Sequence, residues 1–282
     1  MGFADILVHI DSYPDPTPTA GVDQAIAFAK LMDGRLTALA LAIDIPNVSN
    51  RLADYLIGLS ELEREAEDAS LAACRATVEH FRAEAQAAGL AADAEIAKTP
   101  LHAVADTVAR RARTRDLCLV PLANRLDGQV EVVVAAVFDS GRPVLAYKAA
   151  QPRFVGRPLG EVAVAWDGSR SAARAVADAL PVLKRAAGVR VVSILQEKAS
   201  VGAGAATDLL RHLASHGIEA AADEVGAAGR PIGRTLADYL ADRDPDMLVM
   251  GAYGHSRVRQ FVLGGATEYV LHDPPLPVFL SH

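Results

Sequence analysis

DILVHIDS at Asp5–Ser12 and EVAVAWDGS at Glu161–Ser169 are one phrase written twice. Each is a short apolar run ending in an acid, Asp11 or Asp167. Each precedes a segment of helical periodicity, Thr19–Met32 or Ser171–Ala186, and then a second apolar run from Arg35 or Val189. The parallel continues. AADAEIAKTP before Leu101 matches EAAADEVGAAGRP before Ile232, a weak strand followed by a proline at a helix start, where its missing N–H does no harm. RDLCLVP and PDMLVMG are bare apolar runs, and the halves close on RPVLAY and LPVFLS. Strands alternating with helices imply parallel pairing through crossover helices. The expected fold is therefore α/β, two tandem open doubly wound parallel sheets. The continuous apolar character of Leu117–Val120 and Met247–Met250 fits strands covered on both faces. The stretch 149–160, with two prolines and two glycines, reads as the linker, with the boundary near Gly156. The domains are counted as 1–150 and 151–282.

Composition bounds the function. With 282 residues, 51% hydrophobic and 22% charged, the chain can build two ordinary cores. The longest apolar runs, from Leu36 and Val130, are too short to span a bilayer, and the N-terminus lacks signal-peptide order. Two cysteines, Cys74 and Cys118, in unpaired spacing argue against a disulfide scaffold or structural zinc and for a cytoplasmic location. The net charge of −7 argues against nucleic acid as a partner. Residues 1–150 hold 14 basic and 21 acidic side chains, and residues 151–282 hold 14 of each. An anion should meet less repulsion in the second half.

Open parallel sheets bind ligands beyond the carboxyl ends of their strands, where strand order reverses. In the second half that edge is MGAYGHSRVRQFVLGGATEYVL. Gly251, Gly254 and the pair Gly264–Gly265 let the main chain approach a phosphate, and the pair opens a helix whose free N–H groups favour anions. Arg257 and Arg259 read equally as phosphate ligands or as solvated loop charges, and His255 as a turn residue facing water. Asp167 could accept from an adenine amino group or a ribose hydroxyl. His212 and His216 have the i, i+4 spacing of metal ligands but only Asp208 nearby, so no metal site is expected. Trp166 reads as core or pocket wall.

The spacing Gly251-x2-Gly254-x9-Gly264 followed by a small residue, with the first-strand Asp167 and the closing PVFLS strand, resembles the nucleotide signature of the universal stress proteins. The resemblance covers both halves, a tandem member with a Rossmann-like, adenine nucleotide alpha hydrolase-like fold. It implies ATP or a related adenine nucleotide, with magnesium as companion ion, held by Asp167, the backbone near Ile194, Gly251, Gly254, Arg257, Gly264, Gly265 and Ala266. The family usually has Ser or Thr after the third glycine, whereas Gly265 stands here. In the first half, aligning Asp116 with Asp246 puts Pro121 opposite Gly251 and Asn124 opposite Gly254. Aligning Pro143 with Pro277 puts Val130 and Glu131 opposite Gly264 and Gly265, with a loop about four residues shorter. That half is expected to have lost its phosphate site, leaving Asp11 a turn acid without its partners, and one nucleotide is expected per chain.

The closing strands are the family's pairing edges and are expected to meet within the chain as a pseudo-dimer, with a homodimer of chains as a further option. No GxSxG, GxxxxGK[ST], HExxH or SGGxDS loop occurs, so no catalytic residues are expected and any ATP hydrolysis should be slow and incidental. The rival reading is a nucleotide-free scaffold recruiting an unidentified protein through the long first-half helix, about Glu61–Ala88.

Overall fold

The computed structural model describes residues 2–45, 59–123, 127–195, 204–252 and 265–282. The first half runs β1 (Asp5–Ile10), α1 (Thr19–Leu31), β2 (Arg35–Asp44), α2 (Leu59–Ala87), β3 (Ala92–Pro100), a 3-10 turn (Leu101–Ala103), α3 (Val104–Ala112), β4 (Leu117–Leu122), α4 (Asp127–Asp139) and β5 (Val144–Lys148). The second runs β6 (Glu161–Ala165), α5 (Arg170–Leu183), β7 (Gly188–Leu195), α6 (Thr207–Ser215), β8 (Ala220–Gly226), α7 (Ile232–Arg243), β9 (Met247–Gly251), α8 (Gly265–His272) and β10 (Val278–Ser281).

All ten strands form one sheet in the order β3-β2-β1-β4-β5-β10-β9-β6-β7-β8. Pairing is parallel within each half and antiparallel where β5 meets β10, with Leu145 opposite Phe279. The two closing strands thus cover each other's edge inside one chain, which leaves β3 and β8 as the only edges among the described strands. Strand order reverses between β1 and β4 in one half and between β6 and β9 in the other.

Alternation along the strands builds two core layers, one on each face. On one face Ile6, Val8, Val164, Val249 and Phe279 meet α1, α2, α5 and α6. On the other Leu7, Val120, Leu248 and Val278 meet α3, α4, α7 and α8. The long helix α2 joins the first layer through Cys74, Val78, Phe81 and Ala85, spaced by four, three and four residues, and turns its charged side outward. Both cysteines are buried free thiols, and burial pushes Cys118 up to about 12.

Candidate functional site

At the carboxyl edge of the second half the chain leaves β6 through Trp166 and Asp167. The Asp167 carboxylate accepts the Ser169 N–H at 2.9 Å across Gly168, whose φ of +70° suits glycine. Ser169 then caps α5, its hydroxyl accepting the Ala172 N–H at 3.1 Å, with the Ser171 hydroxyl 3.1 Å away. These hydroxyls in DGSRS are polar groups at the site that the glycine spacing does not reveal.

Ile194 lies on β7, its side chain buried in the second core layer. The ladder gives its main chain a direction. Trp166 N–H reaches Val192 C=O at 2.9 Å on the β6 side, and Leu195 C=O accepts from Ala227 beyond β8. By alternation the peptide groups of Ile194 face β6, level with the point where the chain turns off at Asp167. Trp166 is half-buried against the core, and its indole N–H donates to Ala205 C=O at 3.1 Å.

Gly251 ends β9 beside Ser281 of β10. A Cβ there would lie 2.4 Å from the Ala172 nitrogen and 2.5 Å from the Ser171 carbonyl carbon. The absent side chain therefore admits the first turn of α5 against the strand end. It is packing of this kind, rather than a positive φ, that requires glycine here. Gly265 opens α8, and half-buried Ala266 packs on the second core layer. The start of α8 is fixed by α7, where a Cβ on Gly233 would come within 2.6 Å of the Tyr269 Cβ and 3.3 Å of the Ala266 Cα. Gly254, Arg257 and Gly264 lie outside the described residues, as do His255, Arg259 and Asn124.

Asp167, the peptide groups of Ile194, the capped turn of α5, Gly251 and the α8 terminus thus share the strand-switch edge. A carboxylate and peptide groups suit a base and ribose, and a helix N-terminus suits an anion, so the donor set fits an adenine nucleotide. The described residues hold no cluster of three His, Cys, Asp or Glu able to grip a metal.

The first half differs in ways the alignment does not anticipate. Only four residues, 123–126, separate β4 from α4, against thirteen, 252–264, between β9 and α8. Of this deficit of nine, four residues are the shortening between the aligned anchors, four arise because α4 starts a turn earlier, and one because β4 runs a residue further. Val130 and Glu131 consequently sit inside a helix, not at its mouth. Gln129, in the first turn of that helix, accepts the Ala123 N–H at 2.7 Å and donates to Asp11 Oδ2 at 2.8 Å. His9 Nε2 bonds Asp11 Oδ1 at 2.8 Å, and the Asp11 N–H is held by the Thr17 hydroxyl. Asp11 is therefore a well-partnered acid rather than an isolated turn residue. Burial acts to raise its pKa, but His9 and then Gln129 outweigh it and hold the carboxyl below its ordinary value.

The packing of Gly251 has its mirror here. Pro121 stands at the equivalent strand position, and the glycine has moved to the facing helix. A Cβ on Gly21 would lie 3.2 Å from the Pro121 Cβ and 2.9 Å from the Ala149 Cβ.

A family model for the universal stress protein family matches residues 159–282. The matched stretch is the second half, which is similar to the universal stress protein family. A universal stress protein of Synechocystis is 44% identical over 43 residues, a stretch covering 15% of each protein. The whole two-halved fold is matched by the crystal structure of a universal stress protein from Archaeoglobus fulgidus. The TM-score is 0.68 at 18% identity, covering 98% of this chain and 96% of that one. A protein of Pseudomonas aeruginosa PAO1 described as functionally unknown superposes with a TM-score of 0.55 at 17% identity, covering 99% and 92%. No helix among the described residues is long and apolar enough to cross a membrane.

Proposed function

We propose that the second half binds an adenine nucleotide, ATP foremost, and that the protein works as a nucleotide-responsive regulator rather than a metabolic catalyst. The observation that carries this reading is the convergence of Asp167, the Ile194 main chain, the capped first turn of α5 and the start of α8 at the β6–β9 switch. Adenine would lie against Ile194 with Asp167 on its polar edge or on ribose. The phosphates would face the N–H groups at Gly265 and the segment carrying Gly254, Arg257 and Gly264. Binding would shift a neighbouring surface by the nucleotide's differential affinity for two conformations of the protein.

The test is titration of the protein with ATP and magnesium, read by Trp166 fluorescence and by calorimetry. One ATP per chain is expected. Gly254→Val should abolish binding and Asp167→Asn weaken it about tenfold, the loss of one well-made polar contact. Absence of binding at about 1 mM ATP, far weaker than a functional site requires, would overturn the reading in favour of a nucleotide-free scaffold. Phosphate release at about one per second or faster, lost in Asp167→Asn, would make the protein an enzyme instead.

A further inference from the structure

The first half keeps a cavity of about 770 Å³ at its own strand-switch edge, within the range of small-molecule sites. Its apolar wall comes from the ends of β2, α3 and α4, with Leu41, Ile43, Val104 and Val132. Its polar groups include three acids, Asp11 at the end of β1, Asp15 in the following turn and Glu131 on α4, beside Ser12, Tyr13, His102 and Gln129. Among the described residues, no lysine or arginine lines it. Asp15 and Glu131 are exposed and form no ion pair among the described residues.

Asp11 is the built part of this site. It is largely buried, with 15% of its side chain accessible, and is oriented from two sides by His9 and Gln129. Each bond takes one lone pair from one oxygen, so each oxygen retains acceptor capacity toward the cavity. Three carboxylates in an apolar recess repel phosphate. They also fall short of a metal site, since no group of three ligating side chains converges among the described residues. A hydrated metal would in any case waste the aliphatic wall. What satisfies both surfaces is a protonated amine carried on an apolar body.

We infer that this cavity is a second ligand site, distinct from the nucleotide site of the other half, and that it takes an organic cation. The ammonium group meets Asp11, with Asp15 and Glu131 drawing it in, while the apolar body lies against Leu41, Ile43 and Val132. The inference stands independently of nucleotide binding by the second half.

The experiment is calorimetric titration of the full chain with tryptamine, and with indole-3-acetate as the same ring bearing the opposite charge. Tryptamine should bind one per chain with Kd below about 1 mM, and indole-3-acetate at least about tenfold more weakly. Glu131→Gln, an exposed change that leaves the fold alone, should weaken tryptamine about two- to fivefold, as expected for a rim charge. Asp11→Asn should weaken it about tenfold or more, because the contact is sheltered from water. Saturating ATP should leave the tryptamine curve unchanged. Absence of tryptamine binding, equal binding of the two indoles, no response to Glu131→Gln or displacement by ATP would each overturn the inference. Failure of ATP to bind would count only against the nucleotide reading.

Discussion

One glycine and one glutamine show what a single residue decides in this molecule. Gly251 was legible in the sequence as a strand-end glycine, but its reason was not. The main chain of α5 occupies the space where its Cβ would be, and contacts between elements distant in sequence leave no trace in spacing. Gly251→Ala should therefore destabilise the protein by about 2–3 kcal/mol, since backbone cannot yield as a flexible side chain can, and urea unfolding measures it. Gln129 was not legible at all, because one amide in DGQVE reads as a helix-start polar residue until the helix is seen to begin a turn early. Its partner supplies a pH test. Asp11 is held below the ordinary aspartate value of 3.8, so the stability it contributes is complete above that value and is lost as pH falls through the lowered one. Wild-type unfolding free energy should drop on that acid limb, whereas Asp11→Asn should be weaker at neutral pH and lack the limb. Parallel acid profiles for the two proteins would refute the assignment.

At the scale of elements, the strands and helices were readable because each apolar run is bounded by turn residues and each helix carries one apolar stripe. Strand order within a half follows from parallel crossovers. What pattern alone could not supply is how closely helices approach, and α7 against α8 is the case in point. Gly233 lets the two helices touch at Tyr269 and Ala266, and this contact fixes where α8 begins. Gly233→Ala should push α8 away from α7. We expect a stability loss of about 1–3 kcal/mol from overpacking, together with a larger fall in ATP affinity than in stability-matched variants elsewhere. Calorimetry on the folded variant separates the two effects. Equal ATP affinity in wild type and variant would show that the α8 terminus does not set the site.

The two halves are copies by sequence, but the whole molecule is held as one body. The β5–β10 seam buries Leu145 and Phe279 completely, and Phe3 from the first half stacks on Phe279 with ring centroids 6.1 Å apart. The linker is no passive tether, since Phe154 lies edge-on to Phe28 of α1 at 5.1 Å. Arg185, just beyond α5, donates to the Leu31 and Met32 carbonyls at the end of α1 at 2.9 and 3.2 Å and also bonds Asp33. A cation on those carbonyls satisfies a helix C-terminus of the opposite half. The duplication could be read from sequence, and edge covering argued for the seam. The Phe154 and Arg185 contacts could not, because neither a linker residue nor one just past a helix end obeys a period. Because each core layer draws residues from both halves, separating them would expose apolar surface on both, so the halves should unfold together. Trp166 is the one tryptophan and reports only the second half, whereas far-ultraviolet circular dichroism reports both. Urea transitions by the two probes should coincide in the wild type. Phe279→Ala, expected to cost about 3–5 kcal/mol, should move both curves to lower urea together. If the fluorescence transition alone shifts, the seam is an interface between independent domains and not part of a common core.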